Sequence, residues 1–212
     1  MNVPSEDAPQ LDLQTLVVRL PAPLEELPSP PWLVELLRAD VDAPLSAPDG
    51  LRDAVRDLLR GHGYKPTGRG KPSSEYLVGA AQDGRLGSIN AVVDVGNAAS
   101  LHSGLPISVV DLGRARAPLV VRRPPAGTSF VFNRGGQEID VGGLLCLCDA
   151  DGPCANAVKD AQRTKTDGAT REVLVLVWAP HFEGGAHARA TADHVAQWFG
   201  RLGAAVTSRA PR

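Results

Sequence analysis

The sequence lacks several features that would settle its class at once, and each absence excludes something. It has no even set of cysteines: Cys146, Cys148 and Cys154 form a Cys-X-Cys pair with five residues before the third. That spacing matches no common zinc pattern. The three read as reduced, partly buried thiols of a cytosolic protein, with a metal site as the alternative. No basic segment leads into an apolar one at the acidic, proline-bearing N-terminus, so a secretory signal is not expected. The longest strongly apolar run, VLVLVWA at residues 173–179, is far short of the roughly 20 residues a helix needs to cross a bilayer. Neither sign of charge dominates, with 22 basic and 24 acidic residues and a net charge of −2. A protein that coats nucleic acid along its length would carry more positive charge. A cytoplasmic protein is expected.

Nucleotide motifs are missing as well, although one stretch imitates them. GYKPTGRGKPSSEYL, residues 63–77, has the glycine and lysine content of a phosphate cradle, but Pro72 follows Lys71 where a P-loop has Ser or Thr. Proline has no N–H to offer an anion there. Gly61 and Gly63 are followed by no third glycine at the dinucleotide-binding offset, and a helical pattern precedes them instead of a strand. No Gly-X-Ser-X-Gly elbow is present, so a Ser-His-Asp hydrolase finds no local support. His62, His102, His181, His187 and His194 show no ligand spacing. Neither a cofactor nor a metal is expected.

What is present suits one domain, since 212 residues lie near the usual domain size. Residues 1–48 are rich in proline and acid and read as a leading extension, with a strand at LQTLVVRL, residues 13–20, and a short helix at PWLVELLR, residues 31–38. From residue 49 to 212 the pattern sharpens. Leu51, Val55, Leu58 and Leu59 make one apolar helix face that stops at Gly61. A second helix starts near Pro72 and runs to Gly84, and a third covers residues 88–104, with Ser88 as N-cap and Gly104 as stop. Gly96 sits in its middle at a cost of about 1 kcal/mol relative to Ala, so either close packing or an approaching ligand requires the bare backbone. Short β-like runs follow at 105–112, 118–123, 128–133, 144–150 and 172–180, the last apolar at nearly every position, as in a strand covered on both faces. The polar segment 156–171 reads as a short helix plus turn, and an amphipathic helix near 187–202 closes the chain.

Cations cluster in two windows free of acids: Arg60, Lys65, Arg69 and Lys71, then Arg114, Arg116, Arg122 and Arg123. Two readings stand, solvated loop charge and a small footprint on a polyanion.

INAVVDVGNAASLHSGLPISVVDL, residues 89–112, resembles the tRNA-editing domain of the phenylalanyl-tRNA synthetase beta subunit. That family has a helix of the form Asn-Ala-apolar-Val-Asp-apolar-Thr-Asn, a Gly-X-Pro turn and a strand ending in Asp. Asn90, Ala91, Val93, Asp94, Asn97, Gly104, Pro106 and Asp111 occupy the matching positions. The likeness continues to QRTKTDGATREVLVLV, residues 162–177, covers about residues 50–180, and includes no catalytic or anticodon-binding part of the synthetase. The Tyr-Lys-Pro-Thr-Gly-Arg loop is similar to freestanding relatives of the domain.

The resemblance implies an α+β fold, a single domain with a mixed β-sheet core flanked by helices. It implies a trans-acting aminoacyl-tRNA deacylase that hydrolyses the ester of a mischarged tRNA; the alternative is a non-catalytic tRNA or aminoacyl-tRNA binding module. An aminoacyl ester is already activated, so a positioned water and a donor to the oxyanion suffice. The implied catalytic residues are Asn97, Asp160 and Ser108, with Gly96, Asp111, Arg163 and Thr164 binding substrate and Lys65, Arg69 and Lys71 meeting the tRNA acceptor end. The polar segment adds Lys159, Asp160, Arg163, Thr164 and Lys165, which either hold the substrate's amino group and the terminal phosphate or ribose or form a surface ion pair; Asp160 and Arg163, at i and i+3, are expected on one side of a short helix. Gly96 and the last apolar strand are expected to enclose the cleft for the esterified residue. The chain departs from the family in having Gly96-Asn97 for Thr-Asn, Ser108 for the editing histidine, and Leu176 near the glutamate that reads tyrosine's hydroxyl. An apolar or small side chain is therefore the expected substrate, in place of a phenol.

Overall fold

The apolar run that ends the middle of the sequence is the strand around which everything else is laid. A computed structural model describes residues 3–6, 8–60 and 64–209. We label its elements β1 (Leu11–Arg19), α1 (Pro31–Glu35), α2 (Leu51–Arg60), α3 (Ser73–Gln82), α4 (Ala91–Ser103), β2 (Ile107–Asp111), β3 (Val120–Arg122), β4 (Ser129–Val131) and β5 (Glu138–Asp140). There follow β6 (Cys146–Asp149), β7 (Gly152–Asn156), β8 (Glu172–Pro180), α5 (Ala186–Arg201) and β9 (Ala205–Arg209). The fold is α+β. The main sheet is antiparallel, ordered β2-β8-β1-β9, and it is accompanied by a three-stranded sheet β3-β6-β7 and the hairpin β4-β5.

β8 is apolar at both parities because both of its faces are covered. Val173 and Val175 face the helical layer with Val92, Val95, Val195 and Phe199. Leu174, Leu176 and Trp178 face the other way, into a core shared with Leu147, Cys154 and Val158 of the smaller sheets. An antiparallel strand normally alternates; here a layer on each side removes the need for a polar face.

β1 belongs to the leading segment but lies inside the sheet, paired with β8 from Leu11↔Pro180 to Arg19↔Glu172. The segment is therefore stitched into the core, and Leu33 and Leu37 extend it over the helical layer.

The expected helices form with shifted ends. Leu51, Val55, Leu58 and Leu59 of α2 are all buried, while the stop expected at Gly61 lies outside the described residues. α4 begins later than expected because the carbonyl oxygen of Asn90's amide accepts the N–H of Val93 and caps the helix. Ser88 instead donates to buried Asp94, which also accepts from Ser29 and the backbone of Ile89. Gly104 ends α4 in the left-handed region at φ 76°, as its position foretells.

The polar segment 156–171 is not a helix of any length. It contributes the end of β7 and one 3-10 turn, Gln162–Thr164, because the Asn156 amide oxygen accepts the N–H groups of Val158 and Lys159 and the Thr164 hydroxyl bonds the Cys154 and Ala161 carbonyls, local bonds that compete with helix.

Candidate functional site at the open edge of the main sheet

β2 is an outer strand of the main sheet, so alternate backbone N–H groups point away from β8. The bonds from Trp178 N–H to the Pro106 carbonyl and from Leu112 N–H to the Glu172 carbonyl fix which ones. Residues 106, 108, 110 and 112 bond to β8, leaving the N–H of Val109 on the open edge.

Asp160 caps that edge. Its Oδ1 accepts the Ser108 hydroxyl at 2.7 Å, and the backbone N–H groups of Val109 and Asn156 also favour its ionised form. Ser108, only 1% exposed, accepts in turn from Trp178 Nε1 at 2.9 Å. Burial pushes Asp160 from its ordinary value of 3.8 up to about 6, against the opposing pull of Ser108, Lys165 and the two N–H groups. The carboxyl is thus poised near neutrality at the rim of the sheet and partly meets solvent.

Beside it opens a cleft of about 510 Å³, lined by Tyr64, Arg69, Gly70, Phe132, Ile139 and Lys159 among others. Its walls are the 64–71 loop, the β4-β5 hairpin and the segment after β7. The loop holds its shape through Tyr64, whose hydroxyl donates to the Gly70 carbonyl at 3.0 Å. A Cβ at residue 70 would lie 2.5 Å from that hydroxyl oxygen, which is why glycine stands there. Lys165 enters from behind, its Nζ donating to the Phe132 carbonyl at 2.6 Å.

The sequence-expected residues scatter around this geometry. Asp160 and Arg163 do not share a face: Asp160 turns to Ser108, whereas Arg163 grips Asp149 with two bonds of 2.7 Å. Asp149 is enclosed. Its burial alone would raise its pKa, but Arg163 and the N–H groups of Arg116 and Asp151 reverse that and hold it below the usual range. Thr164 is buried against backbone carbonyls, and Asp111 is tied to Thr170 and the Gly113 N–H.

Gly96 faces strand β2 and no open space. A Cβ there would lie 3.1 Å from Val109 Cγ2 and 3.7 Å from Ile107 Cγ2. Close packing is what its bare backbone permits, and the expected cleft between it and β8 is filled because β2 lies there. Asn97 is half-buried, and its amide makes no hydrogen bond among the described residues. Lys65 and Arg69 are exposed and Lys71 is half-buried.

The second basic window is largely engaged: Arg114 with Asp167, Arg116 with Asp151, and Arg123 with the Gly143 carbonyl. His62 lies outside the described residues. His102 and His187 bond backbone carbonyls. The three cysteines are free and buried, burial raising the pKa of each thiol. Among the described residues no cluster of His, Cys, Asp or Glu fits a metal ion, and no helix is long and apolar enough to cross a membrane.

Of the expected polar segment Lys159 lines the cleft, whereas sequence reasoning missed Phe132 and Trp178 as members of this neighbourhood. Phe132 stands at a hairpin whose second strand, β5, is too short and polar to announce itself. Trp178 carries the one side-chain polar atom between Val173 and Pro180 of β8, and a buried indole N–H in need of an acceptor was the signal available.

A model of the B3/4 domain family matches residues 64–184, more than half of the chain. The phenylalanine–tRNA ligase beta subunit of Hahella chejuensis is 29% identical over 106 residues, 49% of this chain and 13% of that protein. The same subunit of Symbiobacterium thermophilum is 26% identical over 114 residues, 53% of this chain and again 13% of that protein. The chain therefore corresponds to a small part of either relative. A solved N-terminal fragment of the phenylalanyl-tRNA synthetase beta-subunit from Pyrococcus horikoshii shares 10% identity and a TM-score of 0.46, over 53% of this chain and 40% of that one.

Proposed function

Because the chain belongs to the B3/4 domain family, we propose that it is a trans-acting aminoacyl-tRNA deacylase, with Asp160 as general base at the cleft beside β2. The observation that carries this reading is a carboxyl poised at about 6, held by a buried serine and next in the chain to Lys159 of the cleft wall. At pH 7 it is mostly ionised, yet a stronger base than an ordinary carboxylate.

The esterified 3′ end of the tRNA enters between the 64–71 loop and the β4-β5 hairpin, with Lys65, Arg69 and Lys71 meeting its backbone. Asp160 takes a proton from water as the water oxygen attacks the ester carbonyl. Collapse of the tetrahedral intermediate breaks the acyl–oxygen bond, and the proton returns to the departing ribose oxygen. Ser108 does not act as nucleophile: its hydroxyl is enclosed and committed to Asp160, so it orients the base. Asn97, with an unengaged amide, is assigned to the developing oxyanion. Gly96, Asp111, Arg163 and Thr164 act by holding the strand and loop that carry these groups.

Incubating the purified chain with a panel of mischarged tRNAs and following ester loss tests the reading. Acceleration over the spontaneous rate that disappears in Asp160→Asn is expected. Binding of tRNA with no ester loss across the panel replaces the hydrolase with the binding module.

A further inference from the structure

The Trp178 indole asks more of its surroundings than apolar packing does. On the face of β8 that looks into the smaller sheets it follows Leu174 and Leu176, both enclosed, and a phenyl ring would fill such a place without bringing a donor. Ser108 stands opposite Leu176 in the β2-β8 register, so Trp178 is its diagonal neighbour on the same face, within reach of a large aromatic side chain. Nε1 donates to Ser108 Oγ at 2.9 Å, and both residues are buried.

A hydroxyl has one hydrogen and two lone pairs. The indole N–H can only donate, so one lone pair of Ser108 Oγ is taken and the hydrogen must point elsewhere. Two acceptors stand in reach: Asp160 Oδ1 at 2.7 Å and the Asn156 carbonyl at 3.3 Å. An ionised carboxylate only accepts, and it draws the hydrogen to Oδ1. A carboxylic acid with its proton on Oδ1 donates to the second lone pair of Oγ, and the hydrogen of Ser108 turns to the Asn156 carbonyl. Either protonation state leaves the indole N–H, the hydroxyl and the carboxyl oxygen paired, as an enclosed polar cluster requires. The other titratable groups that face Asp160 are Lys165, which favours its ionised form, and the Cys154 thiol of β7, which burial keeps protonated.

We infer that Trp178 is a positioning residue for Asp160: its N–H fixes Ser108 as a two-position rotor that turns between the carboxyl and the Asn156 carbonyl as Asp160 gains and loses its proton. The inference deepens the proposed function and takes Asp160 as base from it; the rotor itself needs no substrate. A hydroxyl that accepts one hydrogen bond donates a stronger one, so the indole also strengthens the bond that favours the ionised carboxyl. Were Ser108 there only to satisfy a buried indole, the proton on Asp160 would not be felt at Trp178.

The test is NMR of the full chain across pH 4 to 8, following the carboxyl carbon of Asp160 and the indole N–H of Trp178, distinguished from those of Trp32 and Trp198. Both signals are expected to share one midpoint, the indole proton moving downfield as pH rises, because Oγ accepts more strongly when its own hydrogen is bound to a carboxylate. Ser108→Ala and Asp160→Asn should each abolish that movement. Trp178→Phe keeps an aromatic ring and removes the donor. It should raise the Asp160 midpoint, and with it the limb in kcat/KM, by roughly a few tenths of a pH unit; combined with Ser108→Ala it should add nothing. The titration of the unaltered chain needs neither variant to fold. An indole signal flat across the range overturns the rotor, as does one that still moves in Ser108→Ala. A midpoint unmoved in Trp178→Phe, or raised further in the double variant, overturns the positioning role through Ser108. Ester loss is read separately: its absence with the indole titration intact removes the deacylase and leaves the rotor, and hydrolysis with a flat indole signal does the reverse.

Discussion

Replacing Asp160 by Asn should alter how stability depends on pH in a direction fixed by the site. In the unfolded chain the carboxyl loses its proton near 3.8, whereas in the fold burial holds the proton to about 6. Between those values the unfolded state releases a proton that the folded state retains, so raising the pH favours unfolding. The stabilising contribution is fully present below 3.8 and is lost as the pH passes through 6. The full difference corresponds to about 3 kcal/mol. The carboxylate still partly meets solvent, which reduces the expected change to about 2 kcal/mol. The Asn variant has no such titration. Its single amide oxygen serves fewer of the donors that the carboxylate meets, Ser108 and the N–H groups of Val109 and Asn156, a loss that costs the same at every pH.

The observable is therefore the difference between variant and wild type across pH 4 to 7, measured by urea or thermal unfolding at paired points. That difference should move in the variant's favour by about 2 kcal/mol as pH rises, or about 4 to 8 °C for a chain of this size. A flat difference curve, however large its offset, refutes the claim that burial has raised this carboxyl. In the deacylation assay the rising limb near pH 6 in kcat/KM should vanish together with activity.

Ser108→Ala removes a donor that favours the ionised form of Asp160, so the limb in kcat/KM should move to higher pH; a limb that stays in place would detach Ser108 from the base. Arg163→Ala leaves enclosed Asp149 with only the N–H groups of Arg116 and Asp151, and should cost about 2 to 3 kcal/mol in urea unfolding, at the lower end for a buried pair because Arg163 is one-third exposed. Asp149 lies below its usual range, so that stability is present above 3.8 and fades as acid is added. Gly96→Leu should destabilise by about 1 to 3 kcal/mol through collision with Val109, while Gly96→Ala stays within about 1 kcal/mol, helix propensity offsetting the tight contact.

How much of this was legible depended on whether local chemistry or a distant partner set the outcome. The buried strand β8, the apolar face of α2 and the stop at Gly104 follow from periodicity and glycine conformation, and they form as expected. β5 and β9 were not foreseen. Glu138–Asp140 has no apolar alternation, and Ala205–Arg209 becomes a strand because β1 offers it an edge. The resemblance brought Ser108 and Asp160 into one proposal although 52 residues separate them. The cleft itself was misplaced, since nothing local in Gly96 distinguishes a glycine that admits a ligand from one that admits a neighbouring valine. Lys159 and Phe132 meet across three elements, and no spacing in the chain announces that.

The polar segment after β7 shows why the chemical reading cannot rest on residue type alone. It carries Asp160 and Arg163 three positions apart, which on a helix would be an ordinary surface ion pair. The chain breaks helix there, and the two side chains acquire opposite electrostatic roles. Arg163 closes on Asp149 and holds that acid below its usual range, a pairing that stabilises the fold at neutral pH. Asp160 is raised, so its charge at neutral pH works against the fold. Capping the open N–H of Val109 requires an acceptor and not a charge; a neutral residue with a carbonyl would do it without the penalty. A carboxyl that destabilises at neutral pH, with Ser108 and Lys165 turned to it, is arranged for a proton or a bound group, which is the sense in which electrostatics separates the candidate base from its structural neighbour.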